Sequence, residues 1–203
     1  MNYLAHLYLS GEDESIMVGN FIGDYVKGKQ YLQFPLAVQK GVLLHRQIDW
    51  FTDRHPLVKA CARRFRSNYG RYSAIVTDVI FDHFLAVNWQ QYSNDPLRQF
   101  SKYVHAVLLS NFSILPLRVK TFLPFLIQHK RLESYAGLEG IWQSLAIMGR
   151  RTSLPEEADF AIQILKQDYE SIRTEFERFF VELVEFVETN YEIEIDRPRD
   201  NKG

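Results

Sequence analysis

YSAIVTDVIFDHFLAVNWQQ, residues 72–91, carries Ile75, Val76, Val79, Ile80, Phe81, Phe84, Leu85, Val87 and Trp89 at spacings that put apolar side chains on nearly every side of a helix. A helix of that kind belongs at the centre of a bundle. The same stretch holds Asp78 and Asp82 one turn apart, with His83 directly after them. An unpaired carboxylate there costs several kcal/mol unless a cation, a set of donors or a metal ion meets it.

Outward from this helix the rest of the chain also reads as helical. Period-2 alternation is scarce, no Asn-Gly or Asp-Gly hairpin occurs, and Gly falls at element ends. The periodicity predicts helices over about residues 3–10, 15–27, 35–51 and 56–69 before the central one, with Pro35 and Pro56 suited to first turns. After Pro96, helices interrupted at Pro116 and Pro124 are expected, then a segment over about 135–151. Ser153 and Glu156 match a capping box opening a last long helix to about Tyr191, with Phe160, Ile164, Tyr169, Ile172, Phe176, Phe180, Leu183 and Phe186 as its stripe. The expectation is an all-α, compact multi-helix fold: a single domain over 1–195 with a long C-terminal helix and a loose tail over 196–203. Trp50, Phe51 and Trp89 are expected in the core.

The 203 residues are 46% hydrophobic and 14% aromatic, which excludes a disordered chain and allows a substantial core. A single Cys61 excludes an internal disulfide and a cysteine-rich zinc site, in keeping with a cytoplasmic protein. MNYLAHLYLSGEDE lacks a basic leader, and no run reaches the roughly 20 apolar residues of a membrane span. The net charge of -1 hides a division: residues 1–155 carry +7 and residues 156–203 carry -8. Lys59, Arg63, Arg64, Arg66 and Arg71 lie close together in the basic part, either as a solvated face or as a surface for an acidic partner. No P-loop, dinucleotide fingerprint or G-x-S-x-G is present.

The densest mixture of charged and apolar residues is GVLLHRQIDWFTDRHP, residues 41–56, where His45, Asp49 and Asp53 rise along one helix face. Asp53 is equally suited to capping the next helix. Four early helices each contribute a polar pair: Asn2 and His6, Asn20 and Asp24, His45 and Asp49, Asp78 and Asp82. If those pairs converge, carboxylates and imidazoles cluster between helices, as in many metal sites of all-α proteins. A His and Asp set without Cys suits manganese, iron or another borderline-hard divalent cation. His105 and His129 read as ordinary structural histidines, and Asp78 is equally suited to an ion pair with Arg71 or Arg46.

MNYLAHLYLS at the N-terminus, GNFIGDYVKG at 19–28, GVLLHRQIDWFTDRHP at 41–56, RRFRSNYGRYS between that stretch and the next, and TDVIFDHFLAVNW at 77–89 together resemble the acyl carrier protein phosphodiesterase family, which is related to the HD-domain metal phosphohydrolases. The resemblance covers most of the first 90 residues. It implies an HD-domain-like fold and hydrolysis of the phosphodiester joining 4'-phosphopantetheine to a serine of holo acyl carrier protein, with manganese as the ion and iron or magnesium as alternatives. By position it implies Asp24, His45, Asp82 and His83 as metal ligands, with His6, Asp49 and Asp78 as catalytic groups, any of which is able to replace a ligand. Lys27 and Arg46 are expected at the phosphate, and Lys59, Arg63 and Arg64 at the acidic carrier protein. Neither nucleic acid nor a membrane is an expected partner, and the sequence specifies no oligomeric state. One departure is that HD proteins place His before Asp, whereas this chain has Asp82 before His83 and Arg46 after His45. The competing readings are an HD-type hydrolase of another phosphoester such as a nucleotide, and a non-catalytic helical module that grips acyl carrier protein.

Overall fold

The computed structural model describes residues 1–198, and among them no strand occurs. The helices are α1 (Tyr3–Tyr8), α2 (Glu14–Ile22), α3 (Leu36–Arg54), α4 (Pro56–Tyr69), α5 (Ser73–Val87), α6 (Trp89–Tyr92), α7 (Leu97–Ser110), α8 (Leu117–Gln128), α9 (Arg131–Ser134), α10 (Leu138–Arg151), α11 (Ala158–Gln167) and α12 (Tyr169–Tyr191). Short 3-10 turns at Gly23–Tyr25, Gln30–Gln33, Gly70–Tyr72 and Phe112–Ile114 join some of them. None of the helices is long and apolar enough to cross a membrane.

The greasy stretch is the central helix: α5 packs against α1, α4, α10 and α12. Phe81 and Phe84 meet Phe176 of α12 at ring separations of 5.5 and 6.0 Å, and all three are fully buried. Each such ring stabilises the fold by about 1.5–3 kcal/mol. The closest helix pair is α2 with α3, because Gly19 and Gly41 face each other. A β-carbon on Gly19 would lie 2.1 Å from the Val38 carbonyl oxygen and 2.8 Å from Gly41 Cα, so only glycine permits this approach.

Several boundaries differ from the sequence reading. The second helix ends at Ile22 rather than Lys27, and the chain turns through the 3-10 segment carrying Asp24. The central helix ends at Val87, and α6 follows after Asn88. Pro124 lies inside α8 without ending it, with Leu123 and Leu126 fully buried beside it to offset the lost backbone bond. Ser153 caps nothing: Thr152 accepts from the Leu154 amide at 3.1 Å, Leu154 is buried, and α11 starts only at Ala158. The long helix is divided at Asp168, whose carboxylate is held by Arg64 of α4 at 3.0 Å. Trp50 is 47% exposed, with Arg54 over its ring, so it is no core residue. His55, not Asp53, caps α4, its Nδ1 accepting from the Leu57 amide. In the expected tail, Arg197 pairs with Glu188 at 2.7 Å and Asp196 accepts from Asn94; residues 199–203 lie outside the described part.

Candidate metal centre

α1 has six residues and is too short to persist alone. Its free N-terminal amides are satisfied from α5, since Asp82 accepts from Leu4 N at 2.8 Å and from Ala5 N at 3.2 Å, one oxygen each. Burial pushes the Asp82 carboxyl up to about 7, while these two amides and the Met1 ammonium pull the other way. This anchoring fixes His6 beside α2 and α3.

There the two imidazoles of His6 and His45 stack with centroids 4.1 Å apart. Asn20 of α2 sets both tautomers. Its amide nitrogen donates to the His6 carbonyl at 2.6 Å and to Ser10 Oγ at 3.0 Å, so its Oδ1 is the acceptor facing His6 Nδ1 at 2.8 Å. Its backbone carbonyl meets His45 Nδ1 at 2.8 Å. With both Nδ1–H groups donating to Asn20, both Nε2 atoms turn towards Asp49, His6 at 3.2 Å from Oδ1 and His45 at 3.2 Å from Oδ2. Asp24 Oδ1 lies 3.5 Å from His45 Nε2, and its side chain is 63% exposed, which makes it the open member of the group. Gly23 makes room for the His45 ring, because a β-carbon there would fall 2.2 Å from His45 Cγ.

The electrostatics call for positive charge at this point. Burial and the neighbouring His45 charge pull His6 down to about 4, so His6 is neutral near pH 7. Burial works against charge on His45 too, but the carboxylates of Asp24 and Asp49, 3.5 and 3.2 Å from its Nε2, hold it up to about 9. Burial would raise Asp49; the His45 imidazole beside it and the charge of the Met1 ammonium instead hold it well below the usual carboxylate range. The nearby His45 likewise lowers Asp24. A neutral His6 presents its Nε2 lone pair to two acceptors, Asp49 and the Met1 carbonyl at 3.1 Å. The buried Nε2 of His45 lies within ion-pair reach of two carboxylates yet makes no hydrogen bond of normal geometry. Donor atoms of His6, His45 and Asp49 all lie within 4.8 Å of one another, so these residues fit a divalent cation, with Asp24 the adjacent exposed carboxylate.

The four polar pairs thus supply neighbours to one region, but not every expected ligand joins. Asp78 lies 3.1 Å from the Met1 amino nitrogen, which also approaches Asp49 at 3.9 Å. Both Asp82 oxygens are taken by α1, and His83 points elsewhere, its Nδ1 2.8 Å from the Tyr135 carbonyl and its Nε2 3.1 Å from Tyr169 Oη. Asn2 donates to Tyr135 Oη at 3.0 Å instead of joining His6. Arg46 donates to the Val26 and Gly28 carbonyls at 3.0 and 2.8 Å and covers the Tyr31 ring, pinning the loop after Asp24. Lys27 is exposed. Neither Arg46 nor Lys27 lines the cavity beside the cluster.

That cavity has a volume of about 670 Å³. It is lined by Asp24, Asp49, Asp53 and Asp78 and, from α8, α9 and α10, by Arg118, Arg131, Arg151, Phe122, Phe125 and Met148 among others. These arginines escape sequence reasoning, since they lie on three separate helices with no spacing that ties them to one another or to the acids. On a separate face, Lys59, Arg63, Arg66 and Arg71 line a groove of about 470 Å³. Arg64 is not among them: it is tied to Glu175 at 2.7 Å and to Asp168 and Ser171.

Residues 1–183 match the family described as acyl carrier protein phosphodiesterase. A protein of that name from Serratia proteamaculans (strain 568) is 32% identical over 186 residues, covering 91% of this chain and 96% of the relative. One from Yersinia pestis is 32% identical over 181 residues, 89% and 94% of the two chains. One from Salmonella agona (strain SL483) is 33% identical with the same coverage. No solved structure matches.

Proposed function

The chain belongs to the acyl carrier protein phosphodiesterase family, and on that premise we propose that it hydrolyses holo acyl carrier protein to the apo form and 4'-phosphopantetheine at the His6, His45 and Asp49 cluster. The observation that carries the reading is the convergence of two imidazole Nε2 atoms on one carboxylate at the edge of a cavity large enough for a phosphopantetheine arm. His6, His45 and Asp49 would hold a divalent cation, manganese by the donor set, with Asp24 at its open side. The cation would supply Lewis acidity and neutralise charge on the phosphate.

The remaining work falls to side chains already in place. Asn20 takes both Nδ1–H groups, so both Nε2 atoms face the cluster; His6 presents a lone pair there, and His45 would present one once a bound cation displaced its Nε2 proton. Asp24, exposed and adjacent, orients water for attack on phosphorus. Asp78 lines the same cavity and is the carboxyl placed to exchange a proton with the departing serine oxygen. The exposed row of Lys59, Arg63, Arg66 and Arg71 offers an acidic carrier protein a complementary surface acting through on-rate and orientation.

The test is incubation of the purified protein with holo acyl carrier protein and manganese, followed by the mass of the carrier. Loss of the whole phosphopantetheine group supports the reading. An unchanged carrier mass, whether or not the proteins bind, overturns it.

A further inference from the structure

Arg131 is a buried cation without a carboxylate. It is 6% exposed, and none of the ion pairs among the described residues includes it. Its partners are neutral: Gln143 Oε1 at 3.3 Å, the Gly140 carbonyl at 3.1 Å and Ser144 Oγ. Burial pulls its pKa below the ordinary value, with only Tyr135 acting in the other direction. A guanidinium has more N–H donors than these three acceptors engage, and its Nε is bonded to none of them. A charge held in this way is costly unless an anion completes it. Arg131 lines the same cavity as Asp24 and Asp49.

We infer that Arg131 is the phosphate-binding residue of this cavity, receiving the phosphoryl oxygens of a phosphopantetheine-type ester whose organic arm lies along Phe122, Phe125 and Met148. The chemistry of the lining residues divides the work. Carboxylates alone repel a phosphate, so a phosphoester enters only where a cation offsets them, and a planar guanidinium matches phosphate oxygens in pairs. Phe122, Phe125 and Met148, each half-buried at the cavity, supply apolar surface for the dimethyl and methylene parts of the arm. The role expected of Arg46 passes to Arg131, because Arg46 is committed to the Val26 and Gly28 carbonyls.

The identity of the arm rests on the proposed activity, so the test separates the two. Calorimetry in metal-free buffer, where no cation at the cluster contributes to the phosphate preference, compares binding of free 4'-phosphopantetheine with that of pantetheine, which lacks the phosphate. Wild-type protein should prefer the phosphorylated compound by roughly tenfold or more, as charge-assisted bonds imply. Arg131→Met should remove that preference and leave pantetheine affinity unchanged, whereas Phe125→Ala should weaken both ligands alike. Should Arg131→Met fail to fold, Arg131→Lys keeps the charge without the planar fork and should lose most of the preference. A preference that survives in a folded Arg131 variant, or one absent from wild type, overturns the inference. If the preference depends on Arg131 and the carrier is not cleaved, the pocket stands and the hydrolase reading falls. Cleavage with an Arg131-independent preference is the reverse.

Discussion

Adding one methyl group at Gly23 tests the geometry of the cluster without touching a polar atom. In Gly23→Ala the new β-carbon would lie 2.2 Å from His45 Cγ, 2.5 Å from Cδ2 and 2.6 Å from Cβ, so the ring or its helix has to move by about 1 Å to reach ordinary contact. The ring is held on its other sides by the Nδ1 contact with the Asn20 carbonyl at 2.8 Å and by stacking on His6 at 4.1 Å. Overpacking of this kind costs about 1–3 kcal/mol, and loss of the Asn20 bond adds about 1 kcal/mol. The total of about 2–4 kcal/mol corresponds to a fall in Tm of roughly 5–15 °C for a chain of this size. Displacing the His45 nitrogen should also weaken manganese binding by roughly 10–100-fold, the usual consequence of disturbing a ligand's support. Thermal unfolding by circular dichroism and a manganese titration by calorimetry read the two effects. Gly28→Ala is the control: its φ of 53° makes alanine strained, but nothing lies within 4 Å, so it should lower Tm modestly without altering metal affinity. A Gly23→Ala protein that melts and binds manganese like wild type would refute the packing argument. One that melts lower with metal affinity unchanged would remove His45 from the ligands.

Asp82→Asn should lower Tm by roughly 4–8 °C, because one of the two amides of α1 loses its acceptor, while manganese stoichiometry stays the same; loss of metal at constant Tm would instead make Asp82 a ligand. Arg64→Ala should destabilise the fold by about 1–2 kcal/mol through its contacts with Glu175 and Asp168, with the Michaelis constant for the carrier unchanged. Arg63→Glu should do the opposite, raising that constant and weakening its salt dependence at constant Tm, and unfolding curves with steady-state kinetics at two salt concentrations separate the cases. Burial pushes the Cys61 thiol up to about 12, so iodoacetamide should leave it unmodified in native protein and label it once denaturant is added. Rapid native labelling would place Cys61 at the surface.

The all-helical fold is legible because helix period and sheet period differ, and residues 72–91 repeat apolar groups on every face. The cluster is legible through its pairs for the same reason: His45 and Asp49 share a helix face, and His6 and Asn20 each follow a run that has to be buried. What the sequence does not show is which buried carboxylate serves a backbone and which serves a site. Asp82 and Asp49 look alike in composition, yet one meets the open amides of α1 and the other two imidazoles. His83 shows the same limit, since its partners Tyr135 and Tyr169 lie 52 and 86 residues away. Pro124 and Ser153 carry strong local signals that tertiary packing of Leu123, Leu126 and Leu154 overrides. Arg131 is ordinary in sequence, and only the folding of α8 to α10 over the cluster makes its burial visible. The charge division has a partial structural answer, because acids of the C-terminal part neutralise Arg64 of the basic part.

A cation held by His6, His45 and Asp49 is the centre of the proposed chemistry, and a manganese titration followed by electron paramagnetic resonance tests it most directly. Wild type and His83→Gln should take up the ion with equal affinity, while Asp49→Asn should bind it roughly a hundredfold more weakly or not at all, with its helical circular dichroism intact. Undiminished binding by Asp49→Asn, or loss confined to His83→Gln, would contradict the account.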